Sequence, residues 1–261
     1  MTAYADSNNS HDILTASNLK KRYLNGRGIE DVSFSIRRGE IFGLLGANGA
    51  GKTTTMKIIT GLITRYGGKV HVDGKLLSNN HARALRQMGC LVETPSFYGY
   101  LSAEENLRIA ATYYGMGRAK AERRITKILN LVKLYPYRKD RPERYSLGMK
   151  QRLGLALAMI GAPKIYILDE PANGMDIEGI VEIRNIILHL AQEKQATFLV
   201  SSHMASELEK TCDQVGIIHE GALKDTAEME WILEHYSSLE DYYLTVINAG
   251  EQPFPRNRGV L

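Results

Sequence analysis

Of 261 residues only two are cysteines, Cys90 and Cys212. Two cannot build a disulfide framework or a cysteine-rich metal site, and they fit a reducing compartment. Long apolar runs are missing as well. No stretch approaches the ~18 apolar residues of a membrane span, so any work at a membrane would go through a partner. Residues 1–10 are polar and carry no apolar stretch, so no signal peptide is read there. Dense basic blocks are also absent. The clusters at 19–22 and 138–144 read as solvated faces, and a net charge of +4 is too small to imply nucleic acid. There is no internal repeat and no Asn-Lys-x-Asp run of the kind that reads guanine.

What is present is an ordinary globular composition, 44% hydrophobic and 24% charged, in a length suited to one domain with a subdomain. Residues 13–23 and 29–36 alternate in the β manner, with Val32, Phe34 and Ile36 facing one way and Ser33, Ser35 and Arg37 the other. Residues 40–45, 165–168 and 197–200 read as strands, the first two buried on both faces. Residues 69–74 form a short strand ending in an Asp-Gly turn. Helical periodicity takes over between about 95 and 160. A capping box at Ser102–Glu105 opens one helix with Leu107, Ala110, Ala111 and Tyr114 on a face. A second carries Ile125, Ile128, Leu129 and Val132, and a third starts near Ser146. Strands and helices then alternate again, through a helix over 178–194, a hairpin turning at Glu220-Gly221 and a tail helix around Trp231. The expectation is an α/β domain over 13–225 with a helical insertion at about 95–160, a polar leader over 1–12 and a tail over 226–261.

Residues 46–53, from Gly46 to Thr53, match GxxxxGK(S/T) at every fixed position, between a buried strand and a helix that includes Met56, Ile59 and Ile63. Glycines let backbone N–H groups close around phosphate oxygens, and the helix N-terminus adds partial positive charge. Gly46, Asn48, Gly49, Ala50, Gly51, Lys52, Thr53 and Thr54 are therefore the expected nucleotide contacts. Lys52 would sit on the β- and γ-phosphates and the Thr53 hydroxyl on Mg²⁺. Asp169 and Glu170 close an apolar strand, the end at which open parallel sheets bind ligands. Asp169 is expected to hold Mg²⁺, and Glu170 to polarise the attacking water. One further carboxylate is unusual: Glu93 stops the apolar run Cys90-Leu91-Val92 with a charge.

With its motifs in this order, the chain resembles the ATP-binding cassette (ABC) ATPases over about residues 13–225. The resemblance implies a P-loop NTPase of the ABC type, a RecA-like parallel-sheet core with an antiparallel β subdomain and a helical subdomain. It implies that Tyr23 stacks on adenine and that Asn173-Gly174-Met175-Asp176 is the D-loop, with Asp176 near nucleotide. Ser201-Ser202-His203 looks like the histidine loop, which puts His203 at the γ-phosphate. The family's LSGGQ signature stands here as Tyr145-Ser146-Leu147-Gly148-Met149. Ser146 and Gly148 survive, and in the family these approach the γ-phosphate held by the opposite protomer. Each site then needs two cassettes, so the resemblance implies a dimer with ATP sandwiched between subunits. Both Glu170 and His203 are present, which permits a homodimer.

The stretch from Lys52 to Ser146 has room only for a small helical subdomain, unlike the long coiled coil of cassette repair ATPases. Soluble translation factors of the family usually carry two cassettes, and here there is one. The resemblance therefore favours the ATPase half of a membrane exporter over a soluble cassette protein. Such a subunit sits at the cytoplasmic face of the membrane through permease subunits, with no span of its own and no nucleic-acid partner. Glu93 stands where the family normally has glutamine, in a loop that reaches Mg²⁺ and the attacking water. It thus joins both the catalytic and the metal-binding expectations. Together with Pro95 and the altered signature, it resembles exporters that confer immunity to lantibiotics or bacitracin-like peptides. A general multidrug exporter is the alternative.

Overall fold

The computed structural model describes residues 11–79 and 81–249, so the Pro253 end of the tail and most of the leader lie outside the described residues. An antiparallel sheet contains β1 (Asp12–Arg22), β2 (Gly28–Arg37), β4 (Gly67–Val72) and β5 (Lys75–Leu76), in the order β2-β1-β4-β5. The larger sheet contains β3 (Ile41–Leu45), β6 (Met88–Leu91), β7 (Ile165–Asp169), β8 (Thr197–Ser202), β9 (Gln214–His219) and β10 (Ala222–Glu228). Its order is β10-β9-β3-β8-β7-β6, and every pairing is parallel except the β9–β10 hairpin. This is the α/β architecture expected, a parallel core with an antiparallel β subdomain.

Both faces of the parallel sheet are covered, which is why β3 and β7 are buried at every position and β7 stays uncharged up to its closing Asp169. On one face the antiparallel sheet and α1 (Lys52–Ile59) pack over it, around Val32, Phe34, Phe42, Met56 and Ile167. Phe34 stacks on Phe42 with ring centroids 5.0 Å apart, tying the sheets together. The other face is covered by α5 (Leu147–Met159) and α6 (Ile177–Lys194), where Tyr166 and Phe198 stack at 4.7 Å among Leu153, Leu155 and Ile187. Each such side chain, fully buried, stabilises the fold by about 1.5–3 kcal/mol. Both cysteines are free thiols, Cys212 buried and Cys90 exposed.

The helical insertion forms as α3 (Ala103–Tyr113), α4 (Arg118–Leu131) and α5. Ser102 and Glu105 make the reciprocal capping box, with Ser102 N donating to Glu105 Oε2 at 2.7 Å. Buried Asn106 pins the incoming loop. Its Oδ1 accepts from Tyr98 N at 2.8 Å, and its Nδ2 donates to the carbonyls of Tyr98, Leu101 and Ser102. The remaining helices are α2 (His81–Leu85), α7 (Ala205–Glu209), α8 (Met229–His235) and α9 (Leu239–Asn248).

Two elements depart from the sequence reading. Helix α1 stops at Ile59, so Ile63 lies beyond it. Gly61 turns the chain at φ 71°, with the His81 ring packed where a Cβ would lie 1.9 Å from Nε2. Around Trp231 there are two tail helices rather than one, because Ser238 starts a new helix by capping Asp241 N. Ile232, Leu239 and Tyr242 from this pair are buried in the main core. The Tyr242 hydroxyl donates to Asp225 Oδ2 at 3.1 Å, and burial pushes its pKa up.

Candidate functional site

The parallel strands all end on one edge, which brings together the loops after Leu45, Leu91, Asp169 and Ser202. The first of these is the glycine loop. At Gly46 a Cβ would lie 2.3 Å from the Ile218 carbonyl, and Gly49 and Gly51 sit at φ 83° and 114°. Side chains are excluded at the first position by space and disfavoured at the other two by backbone. Gly51 caps α1 without a side-chain hydrogen bond, so no side chain occupies the amide end of that helix. From the opposite side Gly221 N donates to Ala50 O at 3.0 Å, a brace from the β9–β10 turn. Nothing local in the loop sequence points to that brace.

Lys52 is buried. Its ammonium donates to Gly46 O at 2.6 Å and Ala47 O at 3.2 Å, and it pairs with Glu170 Oε1 at 3.1 Å. Glu170 follows β7 at φ 46° and presents its other oxygen, Oε2, to His203 Nδ1 at 2.7 Å. A carboxylate only accepts, so Nδ1 carries the proton and Nε2 is the nitrogen left for other partners. Buried Ser201 holds the strand end together. Its hydroxyl donates to Asp169 Oδ1 at 2.6 Å and accepts from Glu170 N at 3.0 Å. The Asp169–Ser201 register partnership across β7 and β8 makes this possible.

Asp169 keeps its second oxygen outside that bond, and the Thr53 hydroxyl opens α1 beside Lys52. No group of three or more histidine, cysteine or acidic side chains arranged to hold a metal ion by themselves occurs among the described residues. Such a sparse oxygen set fits Mg²⁺, which keeps waters and takes most of its ligands from substrate phosphates.

One open groove of about 430 Å³ is lined by Tyr23, Asn48, Gly49, Gly51, Lys52, Thr53, Thr54, Lys57 and Glu170, together with Asn25 and Arg27. Tyr23 is half-exposed, in a turn closed by Tyr23 N donating to Arg27 O at 2.8 Å. Asn25 and Arg27 escaped the sequence reading because turn residues of this kind are common surface polar groups.

Ser146, Gly148 and Asp176 line a different groove of about 310 Å³, where the N-termini of α5 and α6 converge. Ser146 Oγ accepts from Met149 N at 3.3 Å, and Asp176 Oδ1 accepts from Gly179 N at 2.9 Å. Leu147, which with Met149 departs from the family's LSGGQ pattern, is exposed and abuts Gly174, where a Cβ would lie 2.8 Å from Leu147 Cδ2. The neighbouring Tyr145 is held as a neutral donor, its hydroxyl bonded to Tyr137 O at 2.7 Å and its pKa pushed up by burial to about 12. The expected nucleotide contacts therefore fall into two separate grooves of one chain.

Glu93 lies two residues beyond β6, and the Leu91–Leu168 pairing sets it level with Glu170 on the next strand. It too has positive φ, 65°. Its carboxylate, expected at the metal, is held in an ion pair by Lys57 of α1. No spacing rule reveals this pair.

Residues 29–173 match the family described as ABC transporter. A bacitracin transport ATP-binding protein, BcrA of Bacillus licheniformis, is 42% identical over 233 residues, which cover 89% of this chain and 75% of the relative. A lantibiotic transport ATP-binding protein, SrtF of Streptococcus pyogenes, is 41% identical over 211 residues, covering 81% and 89%. Among solved structures, the ATP-binding subunit of an ABC transporter superposes with a TM-score of 0.80 at 33% identity, covering 90% of this chain and 99% of the other.

Proposed function

The chain belongs to the ABC transporter family as an ATP-hydrolysing subunit, and from that premise we propose that it works as a homodimer that powers a permease exporting lantibiotic- or bacitracin-like peptides. The observation that carries the hydrolytic part is the Glu170 carboxylate, held between Lys52 and His203 beside Asp169. Lys52 and the amides of the glycine loop bind the ATP phosphates, and Tyr23, which lines the same groove, would stack on the adenine base. When bound, Mg²⁺ neutralises charge on the transferring phosphoryl oxygens, and Thr53 and Asp169 would hold it. Glu170 orients and polarises the attacking water, and His203 Nε2 faces the γ-phosphate.

Ser146 and Gly148 lie in a groove apart from Lys52. That separation supports a sandwich in which a second copy supplies the signature half-site. No helix of the described residues is long and apolar enough to cross a membrane, so attachment at the cytoplasmic face falls to the permease. The peptide cargo is supported by the kinship with bacitracin and lantibiotic transport subunits and by Glu93 after β6.

The test is co-expression with the permease in a peptide-sensitive strain. Protection against a lantibiotic should appear with the wild type and vanish with Glu170→Gln. Protection that survives Glu170→Gln would refute the coupling. Robust ATPase activity in a strictly monomeric sample would refute the sandwich.

A further inference from the structure

Helix α1 supplies two lysines to two strand ends. Lys52 meets Glu170 after β7, and Lys57 meets Glu93 after β6. The strands are paired in register, so the two carboxylates are level, and both follow apolar strands at positive φ. Five residues along a helix is a rise of about 7.5 Å, which lets one rigid element reach both ends. Lys57 also lines the groove of the glycine loop, whereas Glu93 is turned onto Lys57 and is absent from the groove lining.

We propose that Lys57 is a positioning residue for nucleotide binding and hydrolysis: it holds the Glu93 carboxylate against α1, so that metal must draw Glu93 away from a lysine. This rests on the reading of the chain as an ABC ATPase, in which the loop that carries Glu93 reaches Mg²⁺ beside Thr53 and Asp169. A carboxylate can only accept, so Lys57 and a Mg²⁺ shell compete for the same oxygens. With Lys57 in place, Glu93 is neutralised before metal arrives and repels the γ-phosphate little. Without Lys57, Glu93 is an uncompensated charge, unfavourable to metal-free ATP and favourable to its Mg²⁺ complex. Lys57 therefore moderates the metal dependence of nucleotide affinity. The competing explanation makes Lys57 itself a phosphate ligand, in which case its loss weakens binding whatever stands at 93.

Calorimetric titration with a non-hydrolysable ATP analogue, with and without Mg²⁺, separates these. The readout is the ratio of the metal-free Kd to the Mg²⁺ Kd. In Lys57→Met, and in Lys57→Gln as a second neutral variant, the ratio should rise about tenfold. Lys57→Arg should restore it to within about twofold of the wild type, since the cation returns. In a Glu93→Gln background, Lys57→Met should leave the ratio unmoved. If Lys57→Met leaves the ratio at the wild-type value while Glu93→Gln alone shifts it, the lysine has no positioning role. The same change with and without Glu93 would make Lys57 a direct ligand and overturn the proposal. A ratio unmoved by Glu93→Gln alone would remove the metal role of Glu93, and the proposal with it.

Discussion

The ends of β6 and β7 are built alike and buried differently. Each apolar strand gives way to a glutamate at positive φ, and each glutamate meets a lysine of α1. At β7 the pair is enclosed, with Lys52 4% and Glu170 17% exposed at the side chain. At β6 it is open, with Lys57 26% and Glu93 57% exposed. Coulomb attraction is weakly screened in the first and strongly screened in the second. Breaking a buried pair leaves a charge with no solvent to meet it and costs about 3–5 kcal/mol, whereas exposed pairs are worth about 0–1 kcal/mol. A strongly held carboxylate suits a fixed base, and a weakly held one suits a group that must change partners.

The largest test of that contrast is catalytic. Glu170→Gln should lower kcat by about 10²–10⁴, the range for a removed general base. Glu93→Gln should lower it by less than about tenfold, the scale set by one unit of charge perturbation. Steady-state ATPase assays on the purified protein would compare them, and equal losses would erase the distinction between the two ends.

A smaller effect separates support from chemistry. Ser201→Ala frees Asp169 Oδ1 and Glu170 N, and Asn106→Ala frees Tyr98 N and several carbonyls of the loop after β6. Each should cost about 1–3 kcal/mol in urea unfolding, because buried polar groups lose their partners. Only Ser201→Ala should also reduce kcat. A drop in kcat of the same size from Asn106→Ala would mean that the β6 end is as rigidly required as the β7 end.

The smallest effect concerns a third ion pair, this one without lysine, Arg38 with Asp73, which lies outside the groove of the glycine loop. The hydrogen bond from Arg38 holds the Asp73 carboxyl below its ordinary value. Its contribution is complete above the unfolded value of about 3.9 and fades as pH falls through the lower folded value. Asp73→Asn should thus destabilise the protein slightly at neutral pH, by less than about 1 kcal/mol. Melting curves of variant and wild type should converge in strong acid, and a difference that grows there would contradict the pairing.

Much of the candidate site was legible because its chemistry is local. Glycines at 46, 49 and 51, a lysine at the helix start and two acids after a buried strand are each demanded by steric or charge rules acting within a few residues. The strand and helix periodicities, and the cap at Ser102, are local in the same way. The tail was less so: Ser238 is a readable helix start, but that Leu239 and Tyr242 enter the main core depends on where α7 and β9 lie. Ser201 as the tie between Asp169 and Glu170, the Asn106 clamp and the Gly221 brace are likewise contacts between elements distant in the chain.

Glu93 shows the boundary most clearly. Its charge and its place after an apolar strand could be read along the chain, and so could its resemblance to the metal-reaching loop of a cassette ATPase. Its partner could not, since Lys57 stands 36 residues earlier on a helix whose path is set by packing between two sheets. Residue order dictated which groups the site would contain. Register across the parallel sheet and the burial of each strand end dictated which charges meet, because distance and dielectric belong to the folded packing and not to the chain.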